Sequence, residues 1–131
     1  MPGSAPTMNT AANAYARTAH SALTPREAES QLLLKAAQRL IGASQALAAG
    51  ESARTVNEAL TYNQRVWTLL SAEATADQNP LPAEVKQGVG RLGAYVLQSC
   101  LDTMIAPTPE KIATLVSINN HVAAGLQGNP G

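Results

Sequence analysis

At 131 residues the chain has the length of a single domain, which typically runs to roughly 100–150 residues, so a catalytic domain with a separate regulatory domain is not expected. Nine Lys plus Arg balance nine Asp plus Glu for a formal net charge of +0, so the broad basic field that drives nucleic-acid affinity is missing and direct DNA or RNA binding is disfavoured. A lone cysteine, Cys100, excludes an intramolecular disulfide and a zinc knuckle, and no run of about 18 apolar residues offers a membrane-spanning helix.

The first ten residues, MPGSAPTMNT, hold almost nothing to bury and read as a mobile tail. Asn9, Asn13, Arg17, Thr18 and His20 interrupt any apolar run near the start, so no export signal is expected and a soluble, cytoplasmic protein is. Asn9 or Thr10 can cap a short helix with Ala12, Tyr15, Ala16 and Ala19 on its apolar face. Such a helix is marginal unless it docks.

Thr24-Pro25-Arg26-Glu27 is a stronger start signal: the hydroxyl accepts from an orphan N–H, proline sits where its missing N–H costs nothing, and the glutamate reaches back. A helix begins at Pro25, with the stripe Leu33, Ala36, Ala37, Leu40, Ile41, Ser44, Leu47 and a left-handed stop at Gly50. A second box at Thr55-Val56-Asn57-Glu58 opens a helix over about residues 55 to 76, with the stripe Val56, Leu60, Asn63, Trp67, Leu70, Ala74. The breaker Asp77 to Pro80 ends it. Pro82 takes the first-turn position of a third helix, striped by Val85, Val89, Leu92, Val96, Cys100 and Met104 and ending before Pro107. Thr108 and Pro109 open a fourth, with Ile112, Leu115, Asn119 and Val122 on its face and Gly125 as its stop. Glu27, Glu29, Glu58, Glu84 and Glu110 are placed in first turns, where they favour the helix dipole.

Period-two alternation is absent, so the expected fold is all-α: a small antiparallel bundle of four main helices with a short N-terminal helical or mobile segment. The expected boundaries are a tail over residues 1–10, one domain over residues 11–126, and a frayed tail over residues 127–131.

Signals of chemistry are weak. Gly88, Gly90 and Gly93 spell GxGxxG, but a dinucleotide turn needs a strand before it, and here a proline-started helix precedes the glycines. A bend of the helix, or a close approach of a neighbouring helix at Gly93 on the buried side, is the better account. His20 and His121 belong to no metal-ligand pair, and Cys100 on its stripe reads as an apolar filler, so no metal, cofactor or catalytic residue is expected. Asn63 and Asn119 interrupt apolar stripes; they fit either an interhelical hydrogen bond or a polar contact left for a partner. Trp67 fits the core or an interface anchor, and Tyr62, off the stripe, fits a surface contact.

Several ordered strings carry a family likeness: Asn13-Ala14-Tyr15-Ala16-Arg17-Thr18, Thr24-Pro25-Arg26-Glu27, Leu32-Leu33-Leu34-Lys35-Ala36-Ala37, Asn57-Glu58-Ala59-Leu60 with Asn63, Val66-Trp67, Asn79-Pro80-Leu81-Pro82 and Pro107-Thr108-Pro109-Glu110-Lys111. In their order and spacing the chain resembles the bacterial flagellar biosynthesis regulator FlaF family. The resemblance implies a small cytoplasmic non-enzyme needed for flagellin production, binding flagellin as a chaperone-like factor before export. It also implies a second regulator, FlbT, acting on the same output at the flagellin transcript. The third helix departs from the family in its glycines and thinner apolar face. Candidate partner-binding residues are Tyr15, Arg17, Tyr62, Asn63 and Trp67, and the expected partner is flagellin. The alternative is an adaptor working through an FlbT-like partner on flagellin messenger RNA; an enzymatic role would need an acid, base and nucleophile converging in a pocket.

Overall fold

The structure, a computed structural model, describes residues 24–128. The expected N-terminal helix, with Tyr15 and Arg17, lies outside the described residues, as do the first-ten tail and residues 129–131. Four helices follow one another: α1 (Pro25–Ala48), α2 (Ala53–Thr75), α3 (Ala83–Ile105) and α4 (Pro109–Leu126). No strand occurs among the described residues.

Local chemistry accounts for most of the boundaries. Glu27 N–H donates to Thr24 Oγ1 at 3.1 Å while Thr24 N–H donates to Glu27 Oε1 at 3.0 Å, so the capping box that starts α1 is closed in both directions. Hydrogen bonding to the Thr24 backbone N–H first, and to the Thr24 side chain second, holds the Glu27 carboxyl below its usual range. Gly50, at φ +73°, turns the chain out of α1. Thr108 caps α4 by accepting from Lys111 N–H at 3.2 Å.

Four expectations about boundaries are corrected, the first being Pro82, which is the N-cap of α3 and not a first-turn residue, since the helix begins at Ala83. α2 starts at Ala53 rather than at the Thr55 box, because Ser52 Oγ already accepts from Arg54 N–H at 3.1 Å, and Glu58 therefore falls beyond the first turn. Glu29, too, lies past the first turn of its helix. Gly125 is inside α4, and the left-handed residue that follows the helix is Gly128, at φ +80°.

The helices form a four-membered ring. α1 packs broadly on α4 and on α2, α2 packs broadly on α3, and α3 and α4 touch least. Neighbours run antiparallel: Ser30 near the start of α1 bonds Ala123 near the end of α4, and Trp67 and Ser71 of α2 lie across from Gly93 of α3. Leu33, Leu40, Leu60, Trp67, Ile112 and Leu115 are at most 1% exposed, and each such aliphatic burial stabilises the fold by about 1.5–3 kcal/mol.

Two expected stripes are buried or half-buried over most of their length, and each has one exposed member outside the core. In α1, Ile41 is 44% exposed while Ala43 and Ala46 are buried, because a helix lying between two neighbours faces both with small residues. In α3, Val85 is 43% exposed, and only Gly93, Val96, Cys100 and Thr103 are fully covered. Gly93 explains the tight α2–α3 crossing: a Cβ there would run into Ser71 Oγ and sit 3.3 Å from Ser71 Cβ. Gly88 has open space around it, so in the GxGxxG string, all of which lies within α3, only Gly93 is required by close packing.

Candidate interaction surfaces

A polar chain crosses the centre of the bundle. Trp67 Nε1–H donates to Asn119 Oδ1 at 2.8 Å, and Asn119 Nδ2 donates to Asn63 Oδ1 at 2.7 Å and to the Leu33 carbonyl at 3.2 Å. Asn63 Nδ2 in turn donates to Cys100 Sγ at 3.5 Å. One residue from α1, two from α2 and one each from α3 and α4 are thereby tied together where water cannot compete. Asn63 and Trp67, two of the candidate partner contacts, are 0% exposed in this network and present no surface to a partner. Of the two roles each residue could fill, the structure places both in the interior.

Burial pushes the Cys100 thiol up, and the hydrogen bond from Asn63 only partly opposes it. A thiol held protonated is not a nucleophile at neutral pH. His121 is exposed on α4, its Nδ1 lying 2.7 Å from the Ser117 carbonyl. Among the described residues no three His, Cys, Asp or Glu cluster as a metal site requires, and no helix is long and apolar enough to cross a membrane.

Depressions of the outer surface lie on both flanks of α1. Between α1 and α4 lies a groove of about 420 Å³ with Ile41, Ile112 and Val116 in its wall and Ser44, Ser117 and His121 among its polar residues. Leu34, one helical repeat before Ile41, is 37% exposed on the same side of α1. Between α1 and α2 lies a cleft of about 600 Å³ lined by Arg39, Arg54, Glu58, Tyr62 and Arg65. Tyr62 is half-buried there, with the Arg39 guanidinium 4.2 Å and the Lys35 ammonium 5.9 Å from its ring centre.

Tyr62 is thus the one described candidate that reaches a surface. Sequence reasoning missed Ile41, which it assigned to the core, and the arginines around Tyr62. Lys35 and Arg39 stand four apart on one helix and were visible as a pair, but Arg54 and Arg65 join them only through the packing of α2 on α1.

No curated protein and no solved structure matches the chain. The sequence model of the family described as Flagellar protein FlaF matches residues 11–126, a span that contains all four helices and the polar chain linking them. The chain therefore belongs to the FlaF family of flagellar proteins.

Proposed function

We propose that this protein is a non-enzymatic, cytoplasmic regulator of flagellum biogenesis that binds flagellin as a chaperone-like factor, supporting its synthesis and export. The observation that carries the reading is the apolar groove between α1 and α4, flanked by exposed Ile41 and Leu34. Amphipathic terminal helices of flagellin remain unpaired until the filament assembles, and an open groove between two helices can cover one apolar helical face. Covering that face keeps flagellin from self-association while it waits for export.

Purified protein mixed with monomeric flagellin at micromolar concentration is expected to co-elute on gel filtration, and clean separation counts against the proposal. Ile41→Asp places a charge in the groove without touching the core. It should keep the fold, as read by circular dichroism, and weaken flagellin binding by about tenfold or more, because a solvated carboxylate replaces an apolar side chain that the partner would cover. Undiminished binding by a folded Ile41→Asp protein rules out this groove. In the adaptor alternative, through an FlbT-like partner on flagellin messenger RNA, flagellin and this protein elute apart while the partner co-elutes.

A further inference from the structure

The α1–α2 cleft is a different kind of surface from the apolar groove, and nothing in flagellin capture calls for it. Four of the nine basic residues of a chain with net charge +0 meet there: Arg39, Arg54 and Arg65 line the cleft and Lys35 stands over Tyr62. Glu58 is the one carboxylate in the lining, and it faces Arg54 at 3.7 Å in a pair whose side chains are 84% and 69% exposed. Among the described residues Lys35, Arg39 and Arg65 have no carboxylate partner, and residues 1–23 and 129–131 contain no Asp or Glu. A concentration of unneutralised cations in an otherwise balanced chain calls for an anionic counterpart from outside the fold.

We propose that this cleft docks a short acidic segment of a partner protein, its Asp or Glu carboxylates received by Arg39 and Arg65. A guanidinium takes a carboxylate through two parallel N–H bonds, and Arg39 is already oriented by its stacking on Tyr62, so less side-chain freedom is lost on binding. The cleft suits a peptide better than a nucleic acid for two reasons. The face of Tyr62 is occupied by Arg39 at 4.2 Å, so a base cannot stack there. Four cations release few counterions, and the remaining surface carries the excess of acidic groups, which repels a long polyanion. The cleft and the apolar groove flank α1 on different sides, so this docking does not depend on flagellin capture.

The test is a titration of the intact protein with a fluorescent oligoglutamate peptide, with an oligoglutamine peptide and a single-stranded RNA of equal charge as comparisons. At low salt the acidic peptide is expected to bind and oligoglutamine is not, with binding lost near about 0.3 M salt, where exposed charges are screened. Arg39→Gln and Arg65→Gln should each weaken it by about 2- to 5-fold, the range of an exposed ion pair, and Arg91→Gln should leave it unchanged. In the unsubstituted protein, amide resonances of Arg39, Tyr62 and Arg65 should shift, which keeps the test valid if a variant misfolds. Absence of binding, equal weakening by Arg91→Gln, RNA binding as tight as the peptide, or shifts elsewhere on the surface each overturn the proposal.

Discussion

Asn119 is the residue on which the interior depends, since its one side chain accepts from Trp67 and donates to both Asn63 and Leu33. Removing one member of a buried network leaves the others desolvated and unpaired, which is worse than the loss of a bond. Asn119→Ala should therefore destabilise the fold by about 3 kcal/mol or more, measured by urea unfolding. Trp67→Phe preserves most of the ring but deletes the indole donor, and should cost about 1–3 kcal/mol. Combined, the two should cost less than their sum, because in the Asn119→Ala protein the indole N–H is already orphaned. Strict additivity would mean that the bond between them contributes nothing. Ser71 Oγ presents the opposite situation: it is buried with no hydrogen-bond partner, so Ser71→Ala should be neutral or stabilising.

Within a helix, position decides what a glycine or a charge is worth. Gly88 and Gly93 share α3, yet a methyl at Gly88 meets nothing within 4 Å while one at Gly93 meets Ser71. Gly88→Ala should raise stability by about 0.5–1 kcal/mol through helix propensity. Gly93→Ala should lower it, because overpacking of about 1–3 kcal/mol outweighs that gain, and Ser71→Ala in the same chain should recover part of the deficit. Equal effects at the two glycines would remove the close α2–α3 crossing as an explanation. Helix ends are served by the next helix: Lys86 Nζ of α3 donates to the Ala76 carbonyl at 2.7 Å and Lys111 Nζ of α4 to the Ala106 carbonyl at 2.8 Å, where no basic residue occupies the last turn of α2 or α3 itself. Glu29 of α1 is the unfavourable charge. Burial pushes its carboxyl up, Glu73 of α2 adds to the rise, and Arg26 opposes it. A raised folded value means that the protonated form is the one the fold prefers. That advantage is complete below the unfolded value, about pH 4, and is lost as pH rises through the folded value. Glu29→Gln should then raise the melting temperature at neutral pH by about 2 °C and have no effect below about pH 4. A gain of the same size at both pH values would assign it to packing instead of charge.

For the molecule as a whole, α1 is the pivot: it packs on α2 with one flank and on α4 with the other, and both flanks carry surface depressions. Much of this architecture is legible in the sequence, and the reason is local. Thr24-Pro25, Thr108-Pro109, Gly50 and the Asp77 to Pro82 breaker act within a turn of where they stand, so the number and order of the helices are written along the chain, and the α2 stripe from Val56 to Ala74 is buried as its spacing requires. The short strings that resemble FlaF are equally local, and they suffice for the family. Ile41 could not be placed that way. A three-and-four spacing marks a face, but a helix with two neighbours hides a broader arc than one stripe, and only the ring order of α4, α1, α2 and α3 leaves Ile41 outside and takes Ala43 in. The same order brings Asn63, Trp67, Cys100 and Asn119 into one hydrogen-bonded chain and sets Arg39 of α1 against Tyr62, beside which α2 already carries Arg54 and Arg65. Caps and breakers are settled by neighbours a few residues away. Burial and charge clustering are settled by residues from other helices, which meet only when the bundle closes.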